Sequence, residues 1–113
     1  MTDYQTRNDI QAIPALLALA PVEGEKFMAF HHSAERLDGV IPRKYRELIA
    51  LGVALTTQCS FCIDVHTRQA REHGVTKEEL AEAAFVAAAI RAGGTLAHSL
   101  MAMWLYDDVE KTG

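Results

Sequence analysis

The 113-residue chain is predicted to fold as one all-α domain of five or six helices, and three observations lead to this prediction. Half of the residues are hydrophobic, and alanine and leucine predominate over the β-branched residues that strands favour. Apolar positions recur at helical spacing, with no alternating strand pattern and no internal repeat. A chain of this length can bury one core without a metal or disulfide staple.

The N-terminal third is predicted to hold a polar arm followed by two helical segments. Residues 1–12 are mostly polar, and we expect them to form a flexible arm. Residues 13–20 are apolar and long enough for one or two helical turns, closed by a proline. Residues 22–36 carry a stripe at helical spacing, formed by Phe27, Phe30, His31 and Ala34.

Two helices are predicted in the centre of the chain. Pro42 suits the first position of a helix, where its missing N–H is not needed, and this helix is expected to end near Thr57. Residues 48–55 are apolar on every side, which is typical of a buried helix. The next helix is predicted to start near Cys59 or Ser60 and to stop at Gly74, a residue suited to a left-handed C-terminal cap.

The C-terminal third is predicted to hold two more helices. Thr76 and Glu79 form the sequence pattern of a capping box, in which each residue binds the other's backbone N–H. The helix that follows is expected to reach Ala92 and to end at Gly93-Gly94, before a last helix over residues 95–108. The many alanines permit close approach of helices, within one subunit or between subunits, and we expect the chain to self-associate.

Composition excludes several classes of partner. The formal charge is −4 and there is no basic block, so no nucleic-acid partner is expected. The longest apolar run, residues 83–90, is under half of the roughly 20 residues that a bilayer requires, so no membrane span is expected. The N-terminus has neither a basic start nor an apolar stretch, which predicts a cytoplasmic protein. In that compartment a lasting disulfide usually has a catalytic or sensing role.

The most informative segment is CSFCIDVH at residues 59–66, which contains both cysteines of the chain. On a helix, His66 would lie one turn after Cys62 on the same face, close enough to exchange a proton. Cys59 and Cys62 are spaced so that a disulfide can form. A helix start and a nearby histidine both favour the thiolate. Such a thiolate is oxidised by a peroxide to a sulfenic acid, which condenses with a second thiol to a disulfide.

Glu47 is the third candidate residue. It lies just before the apolar stretch of the central helix, where a carboxyl group needs a partner or must stay protonated. His66 or a bridging water would be that partner in a proton relay from Cys62 through His66 to Glu47. Spacing alone equally allows Glu47 to be a solvated residue at the start of a helix.

The same residues also allow less specific interpretations. A C-x-x-C disulfide closes a very short loop, so it adds little to the stability of the fold. Cys59, Cys62 and His66 are residue types that bind zinc, but a structural site needs a fourth ligand, which Glu47 or His98 would have to supply. We therefore predict no metal and no cofactor. No βαβ pattern surrounds the motif, which excludes a thioredoxin fold.

The other histidines and the basic residues of the central helix are expected to serve structural roles. The histidines outside the motif are assigned to surface, cap or interface positions, with His98 able to face the site or a neighbouring subunit. Three basic residues at the start of the central helix are expected to be solvated. The histidines are His31, His32, His73 and His98. The basic residues are Arg43, Lys44 and Arg46.

Three segments together resemble the carboxymuconolactone decarboxylase-like superfamily, and within it the alkylhydroperoxidase D branch. They are YRELIAL at residues 45–51, CSFCIDVH at residues 59–66 and AREHGVTKEE at residues 70–79. The resemblance covers residues 42–94, about half of the chain. It implies an all-helical fold assembled into trimers or hexamers. It also implies thiol peroxidase or disulfide reductase activity, recycled in some members by a lipoylated protein.

Carried over residue by residue, the resemblance makes Cys62 the peroxidatic thiol and Cys59 the more exposed resolving thiol. His66 and Glu47 would form the proton relay. Peroxidase members have a second histidine between the cysteines, and here Phe61 stands in its place, which puts the rate and the substrate in question. The decarboxylase branch lacks the paired cysteines. Two further hypotheses stay open: a redox sensor or assembly module without catalysis, and a decarboxylase-like enzyme.

Overall fold

The computed structural model describes residues 6–112, and the side chains of residues 6–108. A short 3-10 helix (Arg7–Ala12) precedes five α-helices, and no strand occurs within the described range. The all-α prediction is therefore confirmed. The helices are α1 (Ile13–Leu19), α2 (Pro21–Ala34), α3 (Arg43–Thr57), α4 (Ser60–Glu72) and α5 (Lys77–Thr112).

The N-terminal segment differs in part from the predicted arm. Residues 1–5 lie outside the described residues, but residues 7–12 form the 3-10 helix. The Asp9 carboxylate accepts a hydrogen bond from the Thr6 N–H at 2.8 Å, which fixes the start of this helix. The Arg7 guanidinium lies 3.0 Å from the Asp64 carboxylate and attaches the segment to α4.

Helix α3 packs against both α4 and α5 and contributes most of the core. Glu47, Leu51 and Ala54 recur one helical turn apart and are buried along one stripe. The prediction that residues 48–55 are buried on every side is wrong for the single chain, because Ile49 and Val53 are 55 % and 57 % exposed. No other part of the described chain fully covers the apolar side chains on that side of α3.

The connection from α3 to α4 places the cysteine pair. Gln58 adopts a left-handed conformation (φ 58°, ψ 43°), and the Cys59 N–H then donates to the Ala54 carbonyl at 3.1 Å. This closes α3 in the manner of a C-terminal cap. Cys59 is left in extended backbone as the N-cap of α4, and Ser60 is the first helical residue. The predicted start near these two residues is confirmed.

The junction between α4 and α5 also follows the prediction. Helix α4 ends at Glu72, and Gly74 takes a positive φ of 85° that few other residues adopt at low cost. Thr76 and Glu79 form the reciprocal capping box, with N–H to side-chain oxygen distances of 2.9 and 3.1 Å. The Thr76 N–H and the Lys44 ammonium both hold the pKa of Glu79 below its usual value.

Helix α5 differs from the prediction because it runs without a break through Gly93-Gly94. Glycine ends a helix only where the chain turns into a left-handed conformation, and neither of these glycines has a positive φ. In a helix interior each glycine costs about 0.5–1 kcal/mol relative to alanine, which the flanking alanines and leucines can offset. The two predicted C-terminal helices are therefore one.

Most large apolar side chains of α5 are exposed in the single chain. Phe85 is 77 % and Trp104 is 63 % exposed. By length and composition alone, the span Lys77–Asp108 would also be long and apolar enough to cross a membrane. Core helices of soluble proteins meet the same criterion, so this feature does not by itself indicate a membrane protein.

Candidate functional site

The two cysteines are joined in a disulfide at the start of α4. Their Cα atoms lie 5.3 Å apart, within the usual range for a disulfide. The Cys62 N–H also donates to the Cys59 sulfur at 3.3 Å, so Cys59 caps the helix through its side chain. Both residues are half-buried. The chain therefore contains an oxidised C-x-x-C pair whose sulfurs meet at the positive end of a helix dipole.

His66 and Glu47 are brought together although they come from different helices. The Nδ1 atom of His66 lies 2.8 Å from Oε2 of Glu47, and both residues are buried. A carboxylate only accepts hydrogen bonds, so the imidazole Nδ1–H donates to it. In the neutral ring this leaves the lone pair on Nε2. His66 lies one turn after Cys62 on α4, on the same face of the helix.

Arg43 organises the buried end of this arrangement. Its Nε donates to Oε1 of Glu47 at 2.7 Å, its Nη1 to the Glu35 carbonyl at 2.7 Å, and its Nη2 to Oε1 of Gln69 at 3.1 Å. The Arg43 side chain is only 14 % exposed. The prediction of a solvated position is therefore wrong for this residue. The i,i+4 spacing of Arg43 and Glu47 was the available signal for their pairing.

Glu35 and His31, from the end of α2, complete the surroundings of His66. Oε1 of Glu35 lies 2.9 Å from Nε2 of His31 and 3.8 Å from Nε2 of His66. That oxygen is buried and makes no hydrogen bond of good geometry. The imidazole rings of His31 and His66 are 6.1 Å apart. The sequence pattern predicts a structural role for His31 and gives no signal for Glu35.

His98 lies apart from this cluster, in an apolar groove between α3 and α5. The groove has a volume of about 1070 Å³ and is lined by His98 together with mainly aliphatic side chains. None of Cys59, Cys62, His66 and Glu47 lines it. Phe61, which lies between the two cysteines in the sequence, lines a different groove beside the 3-10 helix.

The fold and site define a helical domain in which a disulfide-forming cysteine pair lies one turn from a buried imidazole–carboxylate pair. The model of the carboxymuconolactone decarboxylase family matches residues 21–103. This range includes the cysteine pair, His66 and Glu47. The chain belongs to the carboxymuconolactone decarboxylase family.

Three bacterial proteins are similar in sequence to parts of this chain. Uncharacterised protein 4 of the cox locus of Paracoccus denitrificans is 41 % identical over 73 residues, which cover 65 % of this chain. An uncharacterised protein of Cupriavidus necator is 44 % identical over 45 residues, covering 40 %. The alkyl hydroperoxide reductase AhpD of Rhizorhabdus wittichii is 30 % identical over 107 residues, covering 81 %. The matches span 66 %, 40 % and 60 % of these relatives, each less than two thirds of their length.

Proposed function

We propose that the protein is a thiol-dependent peroxidase or disulfide reductase that cycles between the dithiol and disulfide forms of Cys59 and Cys62. The observation that carries this proposal is the juxtaposition at α4 of the disulfide with His66, whose Nδ1 is held by the buried Glu47. The likeness to an alkyl hydroperoxide reductase over 81 % of the chain supports it.

The oxidative half of the cycle starts from the reduced protein. Nε2 of His66 accepts the proton of the Cys62 thiol, and Glu47 stabilises the resulting imidazolium. The Cys62 thiolate attacks the terminal oxygen of the hydroperoxide, so an S–O bond forms and the O–O bond breaks. Cys62 becomes a sulfenic acid, and the alkoxide leaves as the alcohol with the proton from His66.

The second step forms the disulfide. The Cys59 sulfur attacks the sulfenic sulfur of Cys62, and the hydroxyl group leaves as water with the Cys59 proton. In sum, one hydroperoxide and two thiols give one alcohol, one water and one disulfide. The Cα separation of 5.3 Å is that of the product of this step.

The reductive half needs an external dithiol. One of its thiolates attacks the Cys59–Cys62 disulfide, and its second thiol resolves the mixed disulfide, so both cysteines are reduced and the donor is oxidised. A lipoylated protein or a thiol protein has the required chemistry. The same exchange, run with a small disulfide as substrate, is the disulfide reductase activity.

The first test counts free thiols in the anaerobically reduced protein before and after one equivalent of an organic hydroperoxide. We expect both free thiols to be lost after one equivalent of hydroperoxide, because one hydroperoxide molecule oxidises one dithiol to a disulfide. In a Cys59→Ser variant, we expect a sulfenic acid that can be trapped at Cys62, since no resolving thiol remains.

A matched variant separates the two cysteines. Cys62→Ser keeps one thiol at the helix start, and no rapid reaction with the hydroperoxide is expected from it. Two free thiols that persist in the parent protein would contradict the peroxidase proposal. If those thiols exchange rapidly with lipoamide, a small disulfide, disulfide reduction would remain as the activity.

We also propose that copies of the chain associate through α3 and α5, as a trimer or hexamer. The exposed apolar faces of these helices border one groove, and contiguous surfaces of this kind mark interfaces. Light scattering is expected to give the mass of three or six chains. Trp104→Glu should lower that mass, whereas Lys77→Glu, at the exposed start of α5, should not. A monomer at micromolar concentration would contradict the proposal.

A further inference from the structure

The junction of α2 and α4 gathers three side chains whose donor atoms converge on one point. His31, Glu35 and His66 each offer one ligand atom, and these atoms all lie within 4.8 Å of one another. We propose that this cluster is a binding site for a first-row divalent transition-metal cation, with two imidazoles and one carboxylate as its protein ligands. The site uses neither cysteine, and it stands whether or not the dithiol reduces peroxides.

The distances fit such an ion after small side-chain movements. Ligand bonds of about 2.0–2.1 Å place two tetrahedral ligands about 3.4 Å apart. The Glu35 oxygen lies 2.9 Å from Nε2 of His31 and 3.8 Å from Nε2 of His66, on either side of that value. His31 and Glu35 are one turn apart on the same helical segment, the spacing at which two side chains reach one ion.

The hydrogen bond from His66 to Glu47 is compatible with a metal-bound histidine. A ligating imidazole commonly donates its second N–H to a carboxylate, which fixes the tautomer and the ring orientation. His66 makes this contact to Glu47 through Nδ1 at 2.8 Å, and Arg43 holds Glu47 in turn. The Nε2 lone pair is therefore directed away from Glu47, on the atom that faces Glu35.

Oε1 of Glu35 faces the Nε2 atoms of His31 and His66, the other two proposed ligands, and a cation placed among the three atoms would contact all of them. The Oε1 atom is buried and makes no hydrogen bond of good geometry. Arg43 approaches the other oxygen, Oε2, at 3.7 Å. Counting two carboxylates and one guanidinium, the cluster has a formal charge of −1 when the imidazoles are neutral. A cation bound at Oε1 would give this oxygen a ligand bond and would offset the negative charge of the cluster.

The donor set selects the class of metal. Imidazoles suit zinc, iron, cobalt, nickel and copper, whereas magnesium and calcium prefer sites built from oxygen alone. Three protein ligands leave at least one position open to water or to another small ligand. The His31 side chain is 39 % exposed, so the ion can enter from solvent on that side. A bound ion would occupy the Nε2 lone pair that the proposed thiol chemistry uses as its base.

The test titrates the oxidised protein with a metal salt in two separate experiments. Binding of cobalt(II) chloride is measured by the visible d–d absorption of the ion, and binding of zinc chloride is measured by calorimetry. The disulfide form is used because its cysteines then offer no thiolate to the metal. We expect one ion per chain. His31→Ala and Glu35→Gln should each weaken binding by at least about tenfold. His32→Ala, at the exposed neighbouring position, should leave the affinity unchanged.

The variants distinguish binding at this cluster from nonspecific binding elsewhere on the surface. Far-UV circular dichroism must show that each variant keeps its helices, and His31 is exposed enough that its removal should not unfold the chain. No saturable binding, or equal binding by the parent and both ligand variants, would overturn the proposal. The titration does not measure peroxide turnover, so its failure would leave the proposed thiol chemistry untouched.

Discussion

Replacing Glu47 by Gln is expected to slow the reaction of the reduced protein with an organic hydroperoxide by about 10²- to 10⁴-fold, the usual contribution of acid–base catalysis. The carboxylate accepts the Nδ1–H of His66 and would stabilise the imidazolium that forms when Cys62 loses its proton. A neutral amide can accept the same hydrogen bond, but it supplies no negative charge. The measurement is the stopped-flow rate of thiol loss.

Two further variants distinguish a positioning role of Glu47 in the reaction from a role in stability alone. Glu47→Asp keeps the charge and should recover part of the rate, while Glu79→Gln removes a carboxylate from the exposed capping box and should have no effect. The rates are compared at a temperature at which every variant is folded by circular dichroism. A rate for Glu47→Gln equal to that of the parent would remove Glu47 from the proposed relay.

Replacing Arg43 by Met is expected to lower the free energy of unfolding by about 3–5 kcal/mol, because it leaves the buried Glu47 carboxylate without its cationic partner. Arg43 is 14 % and Glu47 is 1 % exposed, so water cannot take over the lost hydrogen bonds. Methionine fills a similar volume, which separates the lost charge from a cavity. Denaturant unfolding followed by circular dichroism measures the change.

The control for this effect is the same substitution at an exposed ion pair. Arg68 is 61 % exposed and pairs with Asp64 one turn earlier on α4, so Arg68→Met should cost no more than about 0.5 kcal/mol. The double variant Arg43→Met/Glu47→Gln should be less destabilised than the sum of the two single changes. Strict additivity would mean that the two buried groups are not coupled.

Local sequence signals predict the helices better than they predict the surroundings of His66. The capping box at Thr76 and the C-terminal glycine at Gly74 act through neighbours in sequence, and both lie where the sequence places them. The Gly93-Gly94 pair gives a wrong prediction because glycine is compatible with both a helix end and a helix interior. Only the path of the chain beyond the pair decides between them.

The partners of the site residues depend on how helices pack, which one sequence does not specify. Glu47 and His66 are 19 residues apart, and their hydrogen bond exists because α3 lies against α4. Spacing on a helix indicates that Cys62 and His66 share a face, but no local pattern links Glu35 to His66. The prediction for Arg43 fails because basic residues at a helix start are usually solvated. The contacts of Glu35 and Arg43 require α2 to end beside α4.

The unbroken course of α5 has a consequence for how the fold responds to protein concentration. Its 36 residues extend about 54 Å, and the residues after the groove, among them Leu100 and Trp104, are largely exposed in the single chain. A helical segment that buries little of its surface, close to two adjacent glycines, is marginal in water. Association that covers this segment would therefore stabilise the helix by mass action, so that the melting temperature rises with the concentration of chains.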